Sequence, residues 1–492
     1  NIYFLEFSGR YDGSSRFAAG HRWGFFPSFS AGYDIARTPY FQTMALPVSQ
    51  LKVRVSYGRL GNQNGAGLYD YIAQMPLDAQ GTNAWLLPGI SSSTASKGTI
   101  AQTPKMISPY ITWEKVDNAN LGFDLMLFKN RLSITADLYQ RTTRDMIGPA
   151  ESIPSISGIA SEDRAKVNNA TLRNRGWELS VSWNDKLKCG FSYGVGFNVF
   201  NYKAVVTKYN NPEGIIYNNH TGLAANKGYY EGMDLGEIWG YRADDLFLSN
   251  REIDDYLRKV DLTAFKSNDL WRRGDLKYID TNGDGRVDGG KGTLSDHGDL
   301  QVIGNTTPKY SFGINLNLGY KGFEVSTLLQ GVAKRDFPIA GSNYMFGGNN
   351  YNFKEHLDYF STENPNGYLP RLTGWKDDKD FLVNTGYNTT RYLLNAAYMR
   401  MKNLTVAYTF NKKQLKHIGI SNLKVYVTCD NLFTITKLPK QFDPETLNQV
   451  NMSAGGDAKN TAPGLTSPMK QNGNGMVYPM NRNFVFGLDF TF

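Results

Sequence analysis

The sequence has few of the residues on which most metal and nucleophilic sites are built. Its 492 residues include 2 Cys and 5 His, and no Cys-x-x-Cys pair occurs. No His stands at zinc-ligand spacing from another His, Cys or Glu. A Gly-x-Ser-x-Gly elbow and a phosphate-binding glycine loop are also missing. These absences argue against a zinc enzyme, a serine hydrolase and a disulfide-stapled domain, and we expect no catalytic activity.

Long apolar runs and runs of one charge are missing as well. No stretch approaches the roughly 20 apolar residues that a membrane-spanning helix needs. Lys and Arg number 53 against 45 Asp and Glu, so the formal net charge is 53 − 45 = +8, and the basic residues are scattered. A nucleic-acid partner is therefore not expected, because such proteins concentrate positive charge.

Aromatic and glycine residues are plentiful, and apolar residues recur at every second position. There are 30 Tyr, 28 Phe, 8 Trp and 50 Gly, which suits strands and tight turns. In residues 482–492, four Phe and one Leu share one face of an extended segment, because side chains alternate along a strand. The predicted strands, twelve in all, are residues 2–11, 22–36, 51–58, 111–128, 132–139, 177–183, 191–199, 311–320, 323–336, 404–410, 423–427 and 482–492.

The connections between these strands alternate in length. Even-to-odd connections are short, the shortest being Lys129-Asn130 and Lys321-Gly322. Odd-to-even connections are mostly long, and the longest spans 209–308. A meander of this kind places every long connection at the same end, as in outer-membrane barrels with short periplasmic turns and long extracellular loops. We therefore predict an all-β fold, a transmembrane antiparallel β-barrel.

A soluble alternative remains open from the pattern alone. An extracellular array of β-sandwiches would also contain many short strands. A sandwich has no reason to keep the alternation of loop lengths, and its inner faces would be apolar. Here the second face of each strand carries Ser, Thr, Asn, Gly, Glu and Lys, and a mean hydropathy of −0.43 is compatible with a barrel because half of each strand is polar.

Several stretches resemble the SusC-like branch of the TonB-dependent outer-membrane transporters. The mid-barrel signature of that family is similar to RYDGSSRFAAGHRWGFFPSFSAGYDIA at 10–36, and the next strand and loop are similar to LKVRVSYGRLGNQN at 51–64. Later matches are ITWEKVDNANLGFDLMLFKNRLSITADLYQRTTRDMI at 111–147, NRGWELSVSW at 174–183, VIGNTTPKYSFGINLNLGYKGFEVSTLLQG at 302–331, ISNLKVYVTCDNLFTITKLPKQFDPE at 420–445, and the terminal strand.

The resemblance implies a barrel of about 22 strands, of which residues 1–492 would supply the last twelve. It also implies that the signal peptide, carboxypeptidase-like extension, TonB-contacting segment and plug are absent from this sequence. The expected location is the outer membrane of a Gram-negative cell. The expected partners are a SusD-like surface lipoprotein, TonB through the missing region, outer-membrane lipid or lipopolysaccharide, and a glycan or peptide substrate.

A candidate metal loop lies within the longest connection. Counting from Asp280, oxygen ligands stand at positions 1, 3, 5, 7 and 9, with Gly285 at position 6, as in the first part of a calcium loop. Position 12 is Lys291, which cannot bind a cation. The candidate ligands up to this point are Asp280, Asn282, Asp284, the carbonyl of Arg286, and Asp288. An Asp- and Gly-rich turn without an ion is the alternative.

The resemblance suggests where the missing acidic ligand lies. In similar transporters an acidic residue precedes a short run that ends in Ile-Gly. Asp299, before Leu-Gln-Val-Ile-Gly, fits this pattern after a glycine-rich insertion, and Asp296 is the alternative. We therefore predict a structural Ca²⁺ that stiffens an outer loop.

Three functional hypotheses follow. The first is TonB-energised import of a large nutrient, an oligosaccharide or an oligopeptide, together with a SusD-like lid. The second is a passive porin or surface adhesin on the same barrel, and the third is a secreted carbohydrate-active enzyme. Loop aromatic residues could stack on sugar rings or a partner, or pack the loops together: Trp85, Tyr217, Tyr229, Tyr230, Trp239, Tyr344, Phe346 and Tyr351.

Overall fold

The computed structural model describes most of the chain and confirms an all-β fold. The described residues are 1–44, 46–68, 70–75, 77–78, 100–101, 106–148, 165–216, 229–243, 245–340, 345, 354–373, 379–410, 415, 420–447 and 480–491. One antiparallel sheet contains 13 strands, and all but one of them follow one another in chain order. These twelve strands, named β1 to β12, are the wall strands.

The wall strands agree with the sequence prediction in number and order. They are β1 Tyr3–Gly13, β2 Trp23–Asp34, β3 Val48–Asn62, β4 Glu114–Leu127, β5 Leu132–Gly148, β6 Val167–Lys186, β7 Ser192–Lys208, β8 Lys309–Tyr320, β9 Phe323–Lys334, β10 Tyr398–Thr409, β11 Asn422–Asp430 and β12 Asn483–Thr491. Several are longer than predicted, above all β6, because the hydrogen-bonded ladder continues where the apolar alternation has stopped.

Shorter elements lie outside the wall path. Thr434–Thr436 pairs with β10, and the other short strands form separate pairs: Leu77–Asp78 with Ile100–Ala101, Glu237–Gly240 with Gln301–Asn305, Asp245–Leu246 with Leu276–Lys277, and Asp336–Pro338 with Leu393–Asn395. The helical segments are Ile35–Arg37, Pro39–Gln42, Asn250–Leu257, Asn268–Leu270, Lys354–Leu357, Lys379–Phe381 and Leu382–Gly386. Among the residues described, no helix is long and apolar enough to cross a membrane.

The apolar face of the wall is open to its surroundings. Phe486 of β12 is 78% exposed, and Phe312 of β8 is half-buried. The wall strands form one sheet, so their apolar face is not interleaved with a second sheet as it would be in a sandwich. Phe312 lies opposite Val199 of β7, and Phe486 lies opposite Val427 of β11. These contacts form apolar rows that run across neighbouring strands, as expected of a lipid-facing surface.

Aromatic side chains mark the end of the wall that carries the short turns. Ring pairs form there between neighbouring strands or a strand and its turn, with centroids 5.1 Å apart for Tyr3–Tyr33 and 4.6 Å apart for Phe323–Tyr408. Such amphipathic rings collect at membrane–water boundaries. The turn Lys321-Gly322, at the same end, has φ values of +47° and +93°, as a tight hairpin turn requires.

The hydrophobic core lies beyond the other end, in the long connections. We call the described parts of 229–308, 335–397 and 434–447 the outer loop body. Rings from the second and third of these segments meet there, with the centroids of Phe337 and Phe442 5.5 Å apart. Fully buried side chains in its core include Phe247, Leu262, Leu276, Tyr278, Ile339, Leu369 and Tyr392. Connections far apart in sequence thus form one packed unit.

Candidate functional site

The face of β3 to β5 opposite the apolar rows carries charges that pair with each other. Arg54 of β3 donates through Nε and Nη2 to Asp124 of β4, at 2.7 and 3.1 Å, and Nη2 also donates to Asp137 of β5 at 3.3 Å. Because side chains alternate, all three project towards the lumen. Arg54 thus joins a carboxylate of each of the next two strands.

The lumen face of β7 and β8 is different over residues 192–198 and 311–319, where it is small, polar and uncharged. Asn198 of β7 lies opposite Gly313 of β8, and a Cβ at Gly313 would be 2.4 Å from Asn198 Oδ1. Glycine at this position therefore allows the amide to lie flat against the neighbouring strand. We call this surface the neutral strip: Ser192, Gly194, Gly196, Asn198, Ser311, Gly313, Asn315, Asn317 and Gly319. It can donate and accept hydrogen bonds without attracting charge.

A polar recess continues the neutral strip towards the short-turn end. Asn184 and Asn317 line it together with Glu324 of β9 and Lys424 of β11. Lys424 Nζ donates to Glu324 Oε2 at 2.6 Å across the intervening β10. The charges at this mouth thus neutralise one another.

A buried ionic cluster holds the outer loop body together. The Lys266 ammonium, fully buried, donates to Asp275 Oδ2 at 2.7 Å and to Asp380 Oδ1 at 2.6 Å. Arg371 Nε donates to Asp275 Oδ1 at 2.6 Å, and the same oxygen accepts from Asn384 Nδ2 at 2.9 Å. A buried charge is tolerated only when it is paired in this way. The cluster therefore ties the connection after β7 to the connection after β9.

The protonation of Asp380 follows from these contacts. Burial by itself would raise the pKa of the Asp380 carboxyl, but hydrogen bonds from Lys266 and Arg371 outweigh burial and hold the pKa below its ordinary value of 3.8. Sequence reasoning missed this cluster because Lys266 and Asp380 are 114 residues apart. A lysine close to Trp271 in an aromatic-rich loop was the only local signal.

The candidate metal loop is a series of turns closed by its own carboxylates. Asp280 accepts from the N–H groups of Gly283 at 2.6 Å and Gly285 at 2.8 Å, and both glycines have positive φ. The Asn282 side chain accepts from Asp284 N at 2.9 Å, and Asp284 accepts from Arg286 N at 2.8 Å. The side-chain oxygens of this segment therefore accept hydrogen bonds from N–H groups two to five residues later, as in a series of Asx turns.

The two candidates for the last ligand occupy different places. Asp299 is 1% exposed, and its two oxygens accept from Thr281 N at 2.7 Å and from Asp288 N at 3.0 Å. Asp296 lines the open depression that Asn282, Asp284, Arg286 and Asp288 also border, and pairs with Lys291 Nζ at 3.4 Å. Arg286 Nε lies 3.0 Å from Asp288 Oδ2.

These hydrogen bonds already use side-chain oxygen atoms that the prediction assigns to a metal ion. Over the described ranges, no group of three or more His, Cys, Asp or Glu side chains is arranged to hold a metal ion. The set consists of oxygen donors that suit Ca²⁺, but it includes the Asn282 amide and the Arg286 carbonyl, and its carboxylates bind backbone N–H groups. The calcium site stays a prediction.

The loop aromatic residues divide between packing and exposure. Trp239 Nε1 donates to the Tyr230 hydroxyl at 3.3 Å, and that hydroxyl donates to Glu237, so these two rings pack the loop internally. Tyr229 is 47% exposed and contacts Tyr209. The others lie outside the described residues: Trp85, Tyr217, Tyr344, Phe346 and Tyr351.

Comparison with known proteins identifies relatives along the whole chain. TonB-dependent receptor P3 of Formosa agariphila is 25% identical over 498 residues, which cover 100% of this chain and 44% of the relative. TonB-dependent receptor SusC of Bacteroides thetaiotaomicron is 24% identical over 92% of this chain and 40% of its own length. The chain thus spans less than half the length of these curated relatives.

Solved structures share the fold. The RagAB peptide transporter matches with a TM-score of 0.68 at 22% identity, covering 100% of this chain and 46% of that chain. The model of the TonB dependent receptor-like, beta-barrel family matches residues 3–432. This match confirms the predicted barrel fold, the outer-membrane location and the prediction that the chain is not an enzyme. The chain belongs to the TonB-dependent receptor-like β-barrel family.

Proposed function

We propose that the whole protein is a TonB-energised importer of a large polar nutrient across the outer membrane. The observation that carries the proposal is the two-sided wall, with apolar rows outside and the polar neutral strip inside. A plug in the upstream part of the protein closes the lumen, and TonB acts on that part. The family to which the chain belongs supports this role.

The cargo is an oligosaccharide or an oligopeptide. The amide and hydroxyl groups of the neutral strip can exchange hydrogen bonds with sugar hydroxyls or with peptide groups, and neither requires a charged wall. The likeness to the RagAB peptide transporter favours a peptide as the cargo. The likeness to SusC supports a lid formed by a SusD-like surface lipoprotein over the outer loop body.

Uptake by living cells tests the proposal. Cells that express the full-length protein are incubated with fluorescent oligosaccharides and oligopeptides of graded length, with TonB present or deleted. Accumulation of one cargo class that stops when TonB is deleted is the expected result. Uptake that continues without TonB indicates a porin, and binding to surfaces without uptake indicates an adhesin.

Copurification tests the partners. The full-length protein is isolated in detergent, and associated proteins and small molecules are identified by mass spectrometry. A surface lipoprotein with a bound glycan or peptide is expected. Isolation without any lipoprotein, under conditions that keep the barrel folded, contradicts the lid.

We also propose that the 280–288 loop binds one Ca²⁺ through Asp280, Asn282, Asp284, the Arg286 carbonyl and Asp288, with Asp299 completing the site. Titration calorimetry of the chelator-treated full-length protein with Ca²⁺ is the test. Binding that is lost in Asp284→Asn and Asp299→Asn, and kept in Asp296→Asn, is expected. Absence of any heat of binding in the unaltered protein removes the proposal, and loss only in Asp296→Asn identifies the alternative ligand.

The outward face of the wall contacts outer-membrane lipid, including lipopolysaccharide. The exposed apolar rows support this contact, because water would otherwise cover them. Extraction that requires detergent is expected, whereas release by salt alone argues for a peripheral or secreted protein.

A further inference from the structure

The apolar outward face changes to a basic one near the loop end of β3 to β7. On β6, the outward residues run from Leu179 and Trp177 to Arg175 and Arg173. Lys203 of β7 lies directly opposite Arg175. The cations thus stand on the same face as the lipid-facing rows and next to them.

The basic residues form one continuous surface across five strands. Arg175 Nε donates to Gln140 of β5 at 2.6 Å, so its guanidinium spans to the neighbouring strand. Arg59 Nε and Arg144 Nε both pair with Asp117 of β4, at 2.6 and 3.4 Å. We call this surface the outer basic patch: Arg59, Lys115, Arg144, Arg173, Arg175 and Lys203.

Internal pairing does not neutralise the patch. Among the described residues, its 6 cations have 2 carboxylate partners, Asp117 and Asp145, so the balance is 6 − 2 = +4. Within the described part of the chain, no carboxylate lies within ion-pair distance of Arg173, Arg175 or Lys203. These three cations are therefore available to an external anion.

We infer that the outer basic patch binds the phosphate groups of the phosphorylated lipid that forms the outer leaflet around the barrel. The rows below the patch are covered by acyl chains, so the next part of the same lipid to meet the wall is its headgroup. Guanidinium groups bind phosphate in a bidentate manner and lose little hydration in doing so. The inference rests on the proposed lipid contact and is independent of import.

Binding of lipid A to the full-length protein in detergent is the test. The variant Arg173→Gln/Arg175→Gln/Lys203→Gln removes the three available charges. The matched control Lys129→Gln/Lys188→Gln/Lys321→Gln removes three charges from the short-turn end. Loss of about 5-fold in affinity for each charge removed is expected in the first variant, and the loss should shrink at high salt. The control should bind as the unaltered protein does.

The inference would be overturned by unchanged affinity in the patch variant, by an equal loss in the control, or by equal binding of dephosphorylated lipid A. Complete displacement of lipid A by inorganic phosphate would also do so, because it would assign the patch to a free anion. Heat-modified migration on gels checks that each variant is folded, and Arg175→Gln alone replaces the triple variant if that fails. TonB-dependent uptake is measured in parallel, so failed import does not bear on this result.

Discussion

Lys266 shows what a single buried charge contributes to this protein. Its ammonium is enclosed by Asp275 and Asp380, which belong to two different connections. A buried cation of this kind is stabilising only while both partners remain, since each group left alone would be an unpaired charge away from water. The side chain therefore makes the packing of the two connections mutually dependent.

Replacing Lys266 with Met should open the outer loop body. Removal of one partner from a buried pair costs about 3–5 kcal/mol, because the carboxylates lose their neutralising charge. Faster hydrogen exchange in residues 379–386 is the expected signal. Arg251→Met is the control, since Arg251 is 92% exposed and 3.8 Å from Asp255, and such a pair contributes about 0–1 kcal/mol. Equal hydrogen-exchange protection of residues 379–386 in both variants would show that Lys266 does not stabilise the outer loop body.

The same cluster should make the outer loop body sensitive to acid. The pKa of Asp380 is lower in the folded protein than its ordinary value of 3.8, so its contribution is fully present above that value. Stability is lost as the pH falls through the folded pKa, and no loss from this group is expected between pH values of about 7 and 5. Hydrogen exchange of residues 379–386 as a function of pH measures this loss of stability. In Asp380→Asn, the exchange rate should depend less on pH in the acid range.

At the scale of the strand, the alternation of side chains decides which substitutions the wall accepts. Leu179 and Ser180 are neighbours on β6 but face lipid and lumen respectively. An arginine at position 179 would meet hydrocarbon and cost about 2–4 kcal/mol near the membrane centre, whereas one at position 180 would meet water. The two variants Leu179→Arg and Ser180→Arg are refolded into lipid vesicles at graded urea concentrations. The urea midpoint of folding should be lowered in Leu179→Arg and unchanged in Ser180→Arg.

The turn between β8 and β9 gives a second test at this scale. Gly322 has a φ of +93°, and a Cβ there would lie 2.6 Å from the Thr409 carbonyl oxygen. Gly322→Ala should therefore destabilise the hairpin by about 1 kcal/mol or more. Gly196→Ala is the control, because its Cβ would meet Asn315 at an ordinary 3.6 Å. A urea midpoint equally shifted in both would refute the strain argument.

The sequence determines the wall strands better than it determines the connections. The alternation of apolar and polar residues predicted β1 to β12, because successive residues of a barrel strand face lipid and lumen in turn. The predicted lengths of β6 and β7 were too short, because the prediction required apolar residues on the outward side. The loop ends of these strands carry Arg173, Arg175 and Lys203 there instead. The short strand Glu237–Gly240 was missed, since its partner Gln301–Asn305 lies more than 60 residues away in the outer loop body.

At the scale of the whole molecule, every long connection leaves the wall at one end, and three of them share a core. Their contacts, such as Phe337 with Phe442, join segments about 100 residues apart, and no periodic pattern in the sequence reports such pairings. The candidate metal loop could be proposed from the sequence because its spacing is local, and it stays a prediction. The neutral strip could be seen only after the register had placed Asn198 opposite Gly313.

The shared core of the outer loop body has a consequence for chimaeras between relatives. A long connection taken from a relative would carry side chains that pack against that relative's own connections. Exchanging one connection would therefore leave Lys266 or Asp380 without its partner. Cargo preference should therefore transfer between family members only when all three connections are grafted as a set.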